Sequence, residues 1–268
     1  MTTLTQTLRQ VTVKSYPFHY RLIDDGRKET IVLLHAAFAD HTLFASQIER
    51  FRNSYRLVVL DLPGHGNNLT KGSKITMADV PAIIRAIVDE HGLGACHLLG
   101  VSLGSLAAQA FAAEYPELTR SVAIVGGYSI HKDYERIVKA QRKEGIKWSF
   151  YMLASMKRFK RYVVSVSCAT EEGRSLFAQG IGRFRFRSFP AMAGTSRYYR
   201  PNPAPVPYPL LIVVGEHDLP LAREAAARLH ELEPHSRYAL VPGAGHCANA
   251  DAPDAFNRLV ERFFASLD

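Results

Sequence analysis

Short apolar runs and amphipathic stretches alternate along the first half of the chain. The apolar runs are rich in aliphatic residues, as is typical of strands buried on both faces of a sheet. They occupy residues 30–34, 56–60, 95–99 and 121–125. Residues 44–51 and 79–90 lie between them and repeat apolar side chains at helical spacing. This β-α-β-α order predicts an α/β protein with a doubly wound, mostly parallel sheet.

A further strand is predicted ahead of these runs. Residues 18–23 alternate apolar and polar side chains with period two, and the sequence Asp24-Asp25-Gly26-Arg27 follows directly. Because such a turn sequence after a strand pattern is a hairpin signal, we expect a hairpin at residues 24–27.

The alternating pattern stops after Gly127. Residues 129–200 contain no run typical of a buried strand, apart from the ambiguous residues 162–166, and consist of basic, aromatic pieces compatible with helices. Prolines alternate through residues 201–209, which predicts a stiff extended connector because proline fits neither a helix interior nor a central strand. The strand and helix pattern then resumes at residues 210–214, 221–232, 237–241 and 255–267.

The composition suits one large hydrophobic core. The chain has 268 residues, of which 47% are hydrophobic, enough to bury a sizeable interior. One core interrupted by an insertion therefore fits better than two sequential domains. We predict a core of residues 1–127 and 208–268, and a helical insertion of residues 128–207, called the cap, that ends in the proline-rich connector.

Cysteine usage and hydropathy exclude several classes of protein. Cys96, Cys168 and Cys247 are too few and too scattered for a disulfide framework or a zinc site. The first ten residues lack the apolar segment of a secretion signal, and no apolar run approaches the length of about eighteen residues that a membrane span needs. We therefore expect a cytoplasmic protein without a membrane span, and we expect neither a metal nor an organic cofactor.

The positive charge is concentrated in the cap. The chain carries a net charge of +8, with 16 Lys and Arg against 5 Asp and Glu in residues 129–200, and 17 against 20 elsewhere. A solvated face is the commonest explanation of such a segment. The alternative is a docking surface for an anionic carrier, namely a phosphopantetheine-bearing acyl carrier protein or coenzyme A. Nucleic acid is not expected, because no recognisable binding module accompanies the charge. The basic set includes Lys157, Arg158, Lys160, Arg161, Arg183, Arg185 and Arg187.

One pentapeptide suggests a reaction type. Gly100-Val101-Ser102-Leu103-Gly104 joins a predicted strand to a predicted helix, which is the layout of a nucleophile elbow. Glycines two residues on either side of Ser102 allow a tight turn that exposes the serine hydroxyl. The same turn directs the first N–H groups of the helix toward the atom that the serine attacks.

Two later residues are suitable partners for Ser102. A serine hydroxyl needs a base, and an imidazole base works best when a carboxylate orients it. Asp218 follows the predicted strand at residues 210–214, and His246 follows the predicted strand at residues 237–241. Both positions are suitable because open α/β sheets place their sites beyond the carboxyl ends of strands.

These features together resemble the α/β-hydrolase superfamily, in particular its branch of capped small esterases and C–C hydrolases. The motifs that carry the resemblance are the pentapeptide around Ser102, Asp61-Leu62-Pro63-Gly64-His65-Gly66, Gly215-Glu216-His217-Asp218 and Gly245-His246. The resemblance covers nearly the whole chain and implies an eight-stranded sheet with a helical cap. It also implies that Ser102 is the nucleophile, His246 the base and then acid, and Asp218 its orienting partner.

By the same resemblance, two backbone N–H groups form the oxyanion hole. Leu103 follows the nucleophile, and the alignment of His35-Ala36-Ala37-Phe38 with the family's loop gives Ala37 as the second donor. Ala36 departs from the usual glycine and restricts the backbone of this loop. His35 is expected to brace the loop, and His65 to fix its own turn. The substrate-pocket candidates are Phe38, Trp148, Tyr151 and Met152.

Three functions are compatible with these residues. The leading one is hydrolysis of a small carboxylic ester or thioester through an acyl-enzyme on Ser102, in a monomer or homodimer. The second is hydrolysis of a C–C bond in a β-diketone or ring-fission product. The third is a ligand receptor or signalling protein on the same fold, with slow turnover and the basic cap as its partner surface. The substrate depends on how the cap folds over Ser102.

Overall fold

A single mixed sheet forms the centre of the molecule. The computed structural model describes residues 7–24, 26, 29–69 and 74–267. Within these residues the sheet has eight strands in the order β1-β2-β4-β3-β5-β6-β7-β8. The strands are β1 (Thr7–Val13), β2 (Tyr16–Ile23), β3 (Thr30–Leu34), β4 (Arg56–Leu60), β5 (Cys96–Val101), β6 (Thr119–Val125), β7 (Leu210–Gly215) and β8 (Arg237–Val241).

The strand directions confirm the predicted doubly wound topology. Strands β4, β3, β5, β6, β7 and β8 pair in parallel, whereas β1 and β2 run antiparallel at one edge. Parallel neighbours need crossover connections, which the intervening helices supply. The carboxyl ends of the six parallel strands consequently lie at one edge of the sheet, where the predicted site residues follow them.

The strand predicted before residues 24–27 is present, but it does not pair with the next strand, β3, as the hairpin predicted there requires; residues 25 and 27 themselves lie outside the described residues. Strand β2 pairs with β1 and β4, and β4 separates it from β3. The hairpin lies one strand earlier, where Lys14 and Ser15 connect β1 to β2 with φ angles of 49° and 61°. A two-residue turn of this kind usually contains Asn or Gly, so Lys-Ser gives no sequence signal for it.

Helices cover both faces of the sheet. Helices α2, α3 and α7 contribute to one buried cluster with Val32, Leu98 and Ile212, while α1 and α9 contribute to the other with Leu33 and Leu99. Alternate residues of each strand thus enter opposite halves of the core, as expected when both faces are covered. The helices are α1 (Ala45–Phe51), α2 (Val80–His91), α3 (Leu103–Glu114), α4 (Tyr134–Ala154), α5 (Met156–Ser167), α6 (Glu171–Arg183), α7 (Pro220–Leu232), α8 (Ala248–Asp251) and α9 (Pro253–Phe264).

The cap helices α4, α5 and α6 lie between β6 and β7 in the chain. The ambiguous residues 162–166 belong to α5, whose apolar positions Phe159 and Val163 are buried. The two ends of the insertion lie side by side, because the Arg200 N–H donates to the Ile130 carbonyl (3.1 Å) and the Asn202 N–H donates to the His131 carbonyl (3.2 Å). The described helices include none that is both long and apolar enough to cross a membrane.

Candidate active site

The turn between β5 and α3 has the geometry of a nucleophile elbow. Ser102 adopts φ 51° and ψ −111°, a conformation that L-residues rarely adopt and that is typical of strained functional turns. A Cβ atom on Gly104 would overlap the Leu34 carbonyl oxygen, and one on Gly100 would overlap the Gly104 carbonyl oxygen. The two glycines therefore have the physical role that the spacing predicts: they let the strand, the helix and the turn approach closely.

Hydrogen bonds fix the backbone of Ser102 on both sides. Its N–H donates to the Val125 carbonyl at 2.8 Å, which ties the elbow to the end of β6. Its carbonyl accepts from the Ser105 N–H at 2.9 Å and from the Ser105 hydroxyl at 2.5 Å. The strained turn is thus held by the sheet and by the first turn of α3.

His246 and Asp218 are in direct contact, as the sequence predicts. The Nδ1 atom of His246 lies 2.9 Å and 3.0 Å from the two carboxylate oxygens of Asp218. Burial disfavours the imidazolium, but the Asp218 charge and hydrogen bond outweigh this and raise the pKa of His246 above its ordinary value. A proton held on Nδ1 leaves the other ring nitrogen, Nε2, as the basic one.

Gly126 is a site residue whose role the sequence analysis missed. It follows β6 with a φ of 58°, and a Cβ atom there would come within 2.7 Å of the His246 ring at Cε1 and Nδ1. The imidazole is therefore packed directly against a backbone without a side chain. A pair of glycines directly after a buried strand was the available sequence signal.

Asp251 is a second missed residue, and it joins the His246 loop to the cap. Its carboxylate accepts from the Gly245 N–H at 2.8 Å and from the Ala169 and Thr170 N–H groups at 2.8 Å and 2.9 Å. The Thr170 hydroxyl also donates to it at 2.8 Å. One carboxylate thereby links the residue before His246 to the junction between α5 and α6. No local pattern around Asp251 indicates this role.

The loop after β3 places Ala37 beside the elbow. Both Ala37 and Leu103 line the same cavity as Ser102. Leu103 is the first residue of α3, so its N–H has no acceptor within that helix. Ala36 does not adopt a positive φ; the positive φ of this loop, 69°, falls on Phe38 instead. Alanine at position 36 therefore does not have to adopt the left-handed conformation that a side chain disfavours, since Phe38 adopts it instead.

Two neutral histidines hold this loop in place. The Phe38 N–H donates to Nε2 of His65 at 3.0 Å, while Nδ1 of His65 donates to the Pro63 carbonyl at 2.9 Å. The Leu62 N–H donates to Nε2 of His35 at 2.8 Å. Burial and the neighbouring His35 lower the pKa of His65 to about 3, and burial also lowers the pKa of His35. Both rings therefore stay neutral and serve as acceptors. The sequence predicts structural roles for both, but His65, and not His35 as expected, accepts from the loop N–H at Phe38.

An acidic cluster beneath this loop has the donor types of a metal site. Asp40, His41 and Asp61 bring possible ligand atoms within 4.8 Å of one another. Protein groups already engage these atoms: Nδ1 of His41 donates to Asp61 at 2.8 Å, and Arg183 pairs with Asp40. Arg21 lies 2.9 Å from Nε2 of His41. The cluster is accounted for as a charge network that joins the core to helix α6 of the cap.

Ser102 and His246 line one apolar cavity, together with Ala37 and Leu103. This cavity has a volume of about 380 Å³ and is called the catalytic cavity. Its described lining contains no Lys, Arg, Asp or Glu, and its polar side chains besides Ser102 and His246 are the hydroxyl-bearing Tyr128, Thr195 and Tyr199. The hydroxyls of Tyr128 and Tyr199 lie 2.7 Å apart. The described lining consists of Ala37, Ser102, Leu103, Leu106, Gly126, Gly127, Tyr128, Ile137, Trp148, Met192, Thr195, Tyr199, Leu219, Leu221, Ala222, Ala225 and His246.

The four pocket candidates occupy different places. Trp148 lines the catalytic cavity. Phe38 instead packs its buried ring edge-on against Trp148, Phe159 and Phe184. Tyr151 stacks on Tyr162 with ring centroids 4.7 Å apart, and Met152 packs on the hydrophobic cluster of the α1 and α9 face. These last three therefore lie outside the described lining of the catalytic cavity. All three belong to the hydrophobic cluster of the α1 and α9 face or pack against it.

Comparison with known proteins agrees with this architecture. A model of the alpha/beta hydrolase family matches residues 31–259. The chain belongs to the alpha/beta hydrolase family. A thermophilic esterase from Thermogutta terrifontis has the same fold, with a TM-score of 0.79, 19% identity, and coverage of 97% of this chain and 99% of that one.

Curated relatives of this hydrolase have several activities. A 2-hydroxy-6-oxononadienedioate/2-hydroxy-6-oxononatrienedioate hydrolase from Klebsiella pneumoniae is 26% identical over 264 residues, covering 92% of this chain and 90% of the relative. A dihydrolipoyllysine-residue acetyltransferase component of the acetoin cleaving system from Cupriavidus necator is 26% identical over 256 residues, covering 88% of this chain. The hydrolase spans only 64% of the length of that second relative.

A set of basic residues of the hydrolase is exposed on the cap. We define the basic surface by five exposed residues and the half-buried Lys160: Lys157, Arg158, Lys160, Arg161, Arg185 and Arg187. Lys160 and Arg185 both donate to the Gly182 carbonyl, at 2.8 Å and 2.7 Å. Phe186, between two of the arginines, is 70% exposed. Arg183 has a different role from the others, because it pairs with the buried Asp40 of the core.

Proposed function

We propose that this chain hydrolyses small, uncharged carboxylic esters or thioesters through an acyl-enzyme on Ser102. The observation that carries the proposal is the convergence of Ser102, His246, Ala37 and Leu103 on one apolar cavity. A nucleophile, a base and two backbone donors are the groups that acyl transfer requires.

In the proposed reaction each step is assigned to a residue that lines this cavity or contacts one that does. His246 accepts the Ser102 proton at Nε2 while the serine oxygen attacks the carbonyl carbon, and the N–H groups of Ala37 and Leu103 donate to the oxyanion. The bond to the leaving alcohol or thiol then breaks, and His246 returns the proton to that group. Water repeats the sequence on the acyl-enzyme and releases the acid. Asp218, 2.9 Å from Nδ1, keeps the ring in the required tautomer throughout.

The electrostatics of the catalytic cavity favour esters over the dioate substrates named for the Klebsiella relative. A carboxylate moved from water into an apolar cavity needs a cation or several donors to compensate for lost hydration. The described lining contains no Lys or Arg that could provide this compensation. C–C bond hydrolysis remains the second candidate because of the sequence similarity to that relative.

The test combines a substrate panel with covalent labelling. We expect p-nitrophenyl acetate and butyrate to be hydrolysed, and Ser102→Ala to lower kcat by about 10⁶-fold. Ser165→Ala, which changes an exposed serine of α5, is the matched control and should retain activity. A fluorophosphonate should label wild type and Ser165→Ala, and the tagged peptide should contain Ser102.

Three outcomes would contradict the proposal. Full activity in a folded Ser102→Ala variant excludes the acyl-enzyme. Faster hydrolysis of a ring-fission product than of an ester of equal length favours the C–C reaction. Very slow turnover of every ester, together with a large ligand-induced rise in Tm, favours the receptor alternative.

A further inference from the structure

A second cavity lies beside the catalytic cavity. It has a volume of about 540 Å³ and is called the outer cavity. Tyr128, Ile137 and Ala225 line both cavities. The two spaces are therefore separated by a partition one side chain thick, to which the cap contributes Tyr128 and Ile137 and the core contributes Ala225.

The outer cavity has apolar inner walls, one buried ion pair and a charged rim. Ile137, Ala225 and Leu229, which line it, are all buried. The Lys132 side chain also lines it, is only 9% exposed and pairs with Glu233 at 2.8 Å. The charged lining residues lie on α7, in the first turn of α4 and directly before α4. Two ion pairs of 2.8 Å join these elements: Arg136 pairs with Glu224, and Arg228 pairs with Asp133. All four side chains are more than half exposed, so these pairs are weak and do not seal the cavity.

The three residues of the partition differ in how much space they can release. The Tyr128 hydroxyl lies 2.7 Å from that of Tyr199, which fixes its ring. Ala225 has only a methyl group to lose. Ile137 has a branched side chain that is 8% exposed, and it reaches the partition from the second turn of α4. The side chain of Ile137 is therefore the main removable part of the partition.

We propose that Ile137 determines substrate length by closing the catalytic cavity on the side of the outer cavity. Wild type then accepts an apolar acyl or alkyl group only as long as the catalytic cavity. Without the Ile137 side chain, a longer unbranched chain extends along the apolar inner walls toward the charged rim. This inference rests on the proposed ester hydrolysis.

The experiment compares Ile137→Ala with Leu221→Ala. Leu221 lines the catalytic cavity but not the outer cavity, so its truncation enlarges the first space without joining the two. Both variants are assayed with p-nitrophenyl esters of C2 to C12 acids and with C2 to C12 alkyl butyrates. The two series are needed because either the acyl or the alcohol group can face the partition.

For Ile137→Ala we expect kcat/KM for C10 relative to C4 to rise about tenfold or more in one series, because a single methylene in a hydrophobic pocket changes kcat/KM by about tenfold or more. Leu221→Ala should change that ratio less than threefold. Ala225→Leu in the Ile137→Ala background should reverse the gain by refilling the gap, and Ile137→Phe should shorten the accepted chain. Melting temperature and Ser102 labelling establish that each variant is folded.

The outcomes separate this inference from the proposed function. If wild type hydrolyses short esters in a Ser102-dependent manner and the two alanine variants give the same length profile, Ile137 does not form the limiting partition. If wild type neither hydrolyses an ester nor reacts with the fluorophosphonate, the proposed function itself is wrong.

Discussion

The two walls of the catalytic cavity are built in different ways. The core wall includes residues of the loops that follow parallel strands: Ala37 after β3, Ser102 after β5 and Gly126 after β6. Backbone hydrogen bonds and close backbone contacts fix these positions. The cap wall consists of side chains such as Trp148 and Tyr199, held by packing against other side chains.

We expect the two walls to determine different properties of the site, namely the rate of reaction and the choice of substrate. Strand ends can be displaced only if the sheet itself changes, so the core wall gives a fixed frame for the proposed reaction. Side chains on helices can be replaced one at a time, so the cap wall can vary in size and shape with little effect on that frame. Substitutions in the core wall should therefore change the rate for all substrates, and those in the cap wall the choice among substrates.

After that of Ser102→Ala, the largest expected effect is at Asp218, which does not line the cavity but contacts the His246 ring that does. Asp218→Asn replaces the acceptor for Nδ1 of His246 with an amide that favours the other tautomer, and we expect kcat to fall by about 10³- to 10⁴-fold for every ester. Asp133→Asn is the control, because Asp133 is an exposed acid paired with Arg228. A loss of less than tenfold at Asp218 would mean that another group orients His246.

Gly126→Ala tests the packing against the imidazole. The added methyl would meet the His246 ring, and we expect about a 10²-fold loss in kcat from the displaced base. Gly92→Ala is a matched control: Gly92 has a φ of 56°, close to the 58° of Gly126, but a Cβ there meets no atom within 4 Å. Equal losses of activity in the two variants would show that backbone strain, and not the ring contact, is responsible.

The pH profile should depend on the same core contact. Asp218 raises the pKa of His246, and the proposed base must be neutral, so kcat/KM should fall about tenfold per pH unit below a midpoint above 6.5. The residual activity of Asp218→Asn should have its midpoint at lower pH, because the variant lacks the carboxylate charge. A midpoint that does not move would mean that a different group titrates.

In the cap wall, Trp148→Ala should have a smaller and substrate-dependent effect. Trp148 lines the catalytic cavity, and we expect its truncation to change kcat/KM by about tenfold for some esters and little for others. Phe150→Ala on the same helix is the control, since Phe150 is 70% exposed. A uniform loss across all esters would contradict the division between the two walls.

The smallest effect is expected on the basic surface. Arg158→Glu with Arg161→Glu should leave hydrolysis of free esters within about twofold, because both residues are exposed. If the surface binds an anionic carrier, thioesters of an acyl carrier protein or of coenzyme A should lose about tenfold at low salt. Arg223→Glu, an exposed residue of α7, is the control. No difference between carrier thioesters and free thioesters would mean that the surface is only solvated.

The sequence predicts the core wall better than the cap wall for a physical reason. Buried parallel strands have a local signature, and the residues after them converge because the topology requires it, so the contact of His246 with Asp218 could be expected. The lining contributed by the cap could not be predicted, because Ile137 and Tyr199 are distant in sequence and reach one cavity only through tertiary packing. Asp251 and the Lys14-Ser15 turn escaped prediction for the same reason: neither has a local pattern.

The adjacent ends of the cap have a consequence for how such a protein can change. Arg200 and Asn202 are hydrogen-bonded to Ile130 and His131, so the chain leaves the sheet and returns to it through one narrow stem. The entropic cost of closing a loop grows only slowly with its length. Because hydrogen bonds keep the two ends of the cap at a fixed distance, the segment between them can be replaced by another. A helical segment of another length or sequence can be grafted onto this stem without altering the register of β6 and β7. The stem is thus a natural recombination point, at which a new specificity can be acquired in one step while the strands beneath it are inherited unchanged.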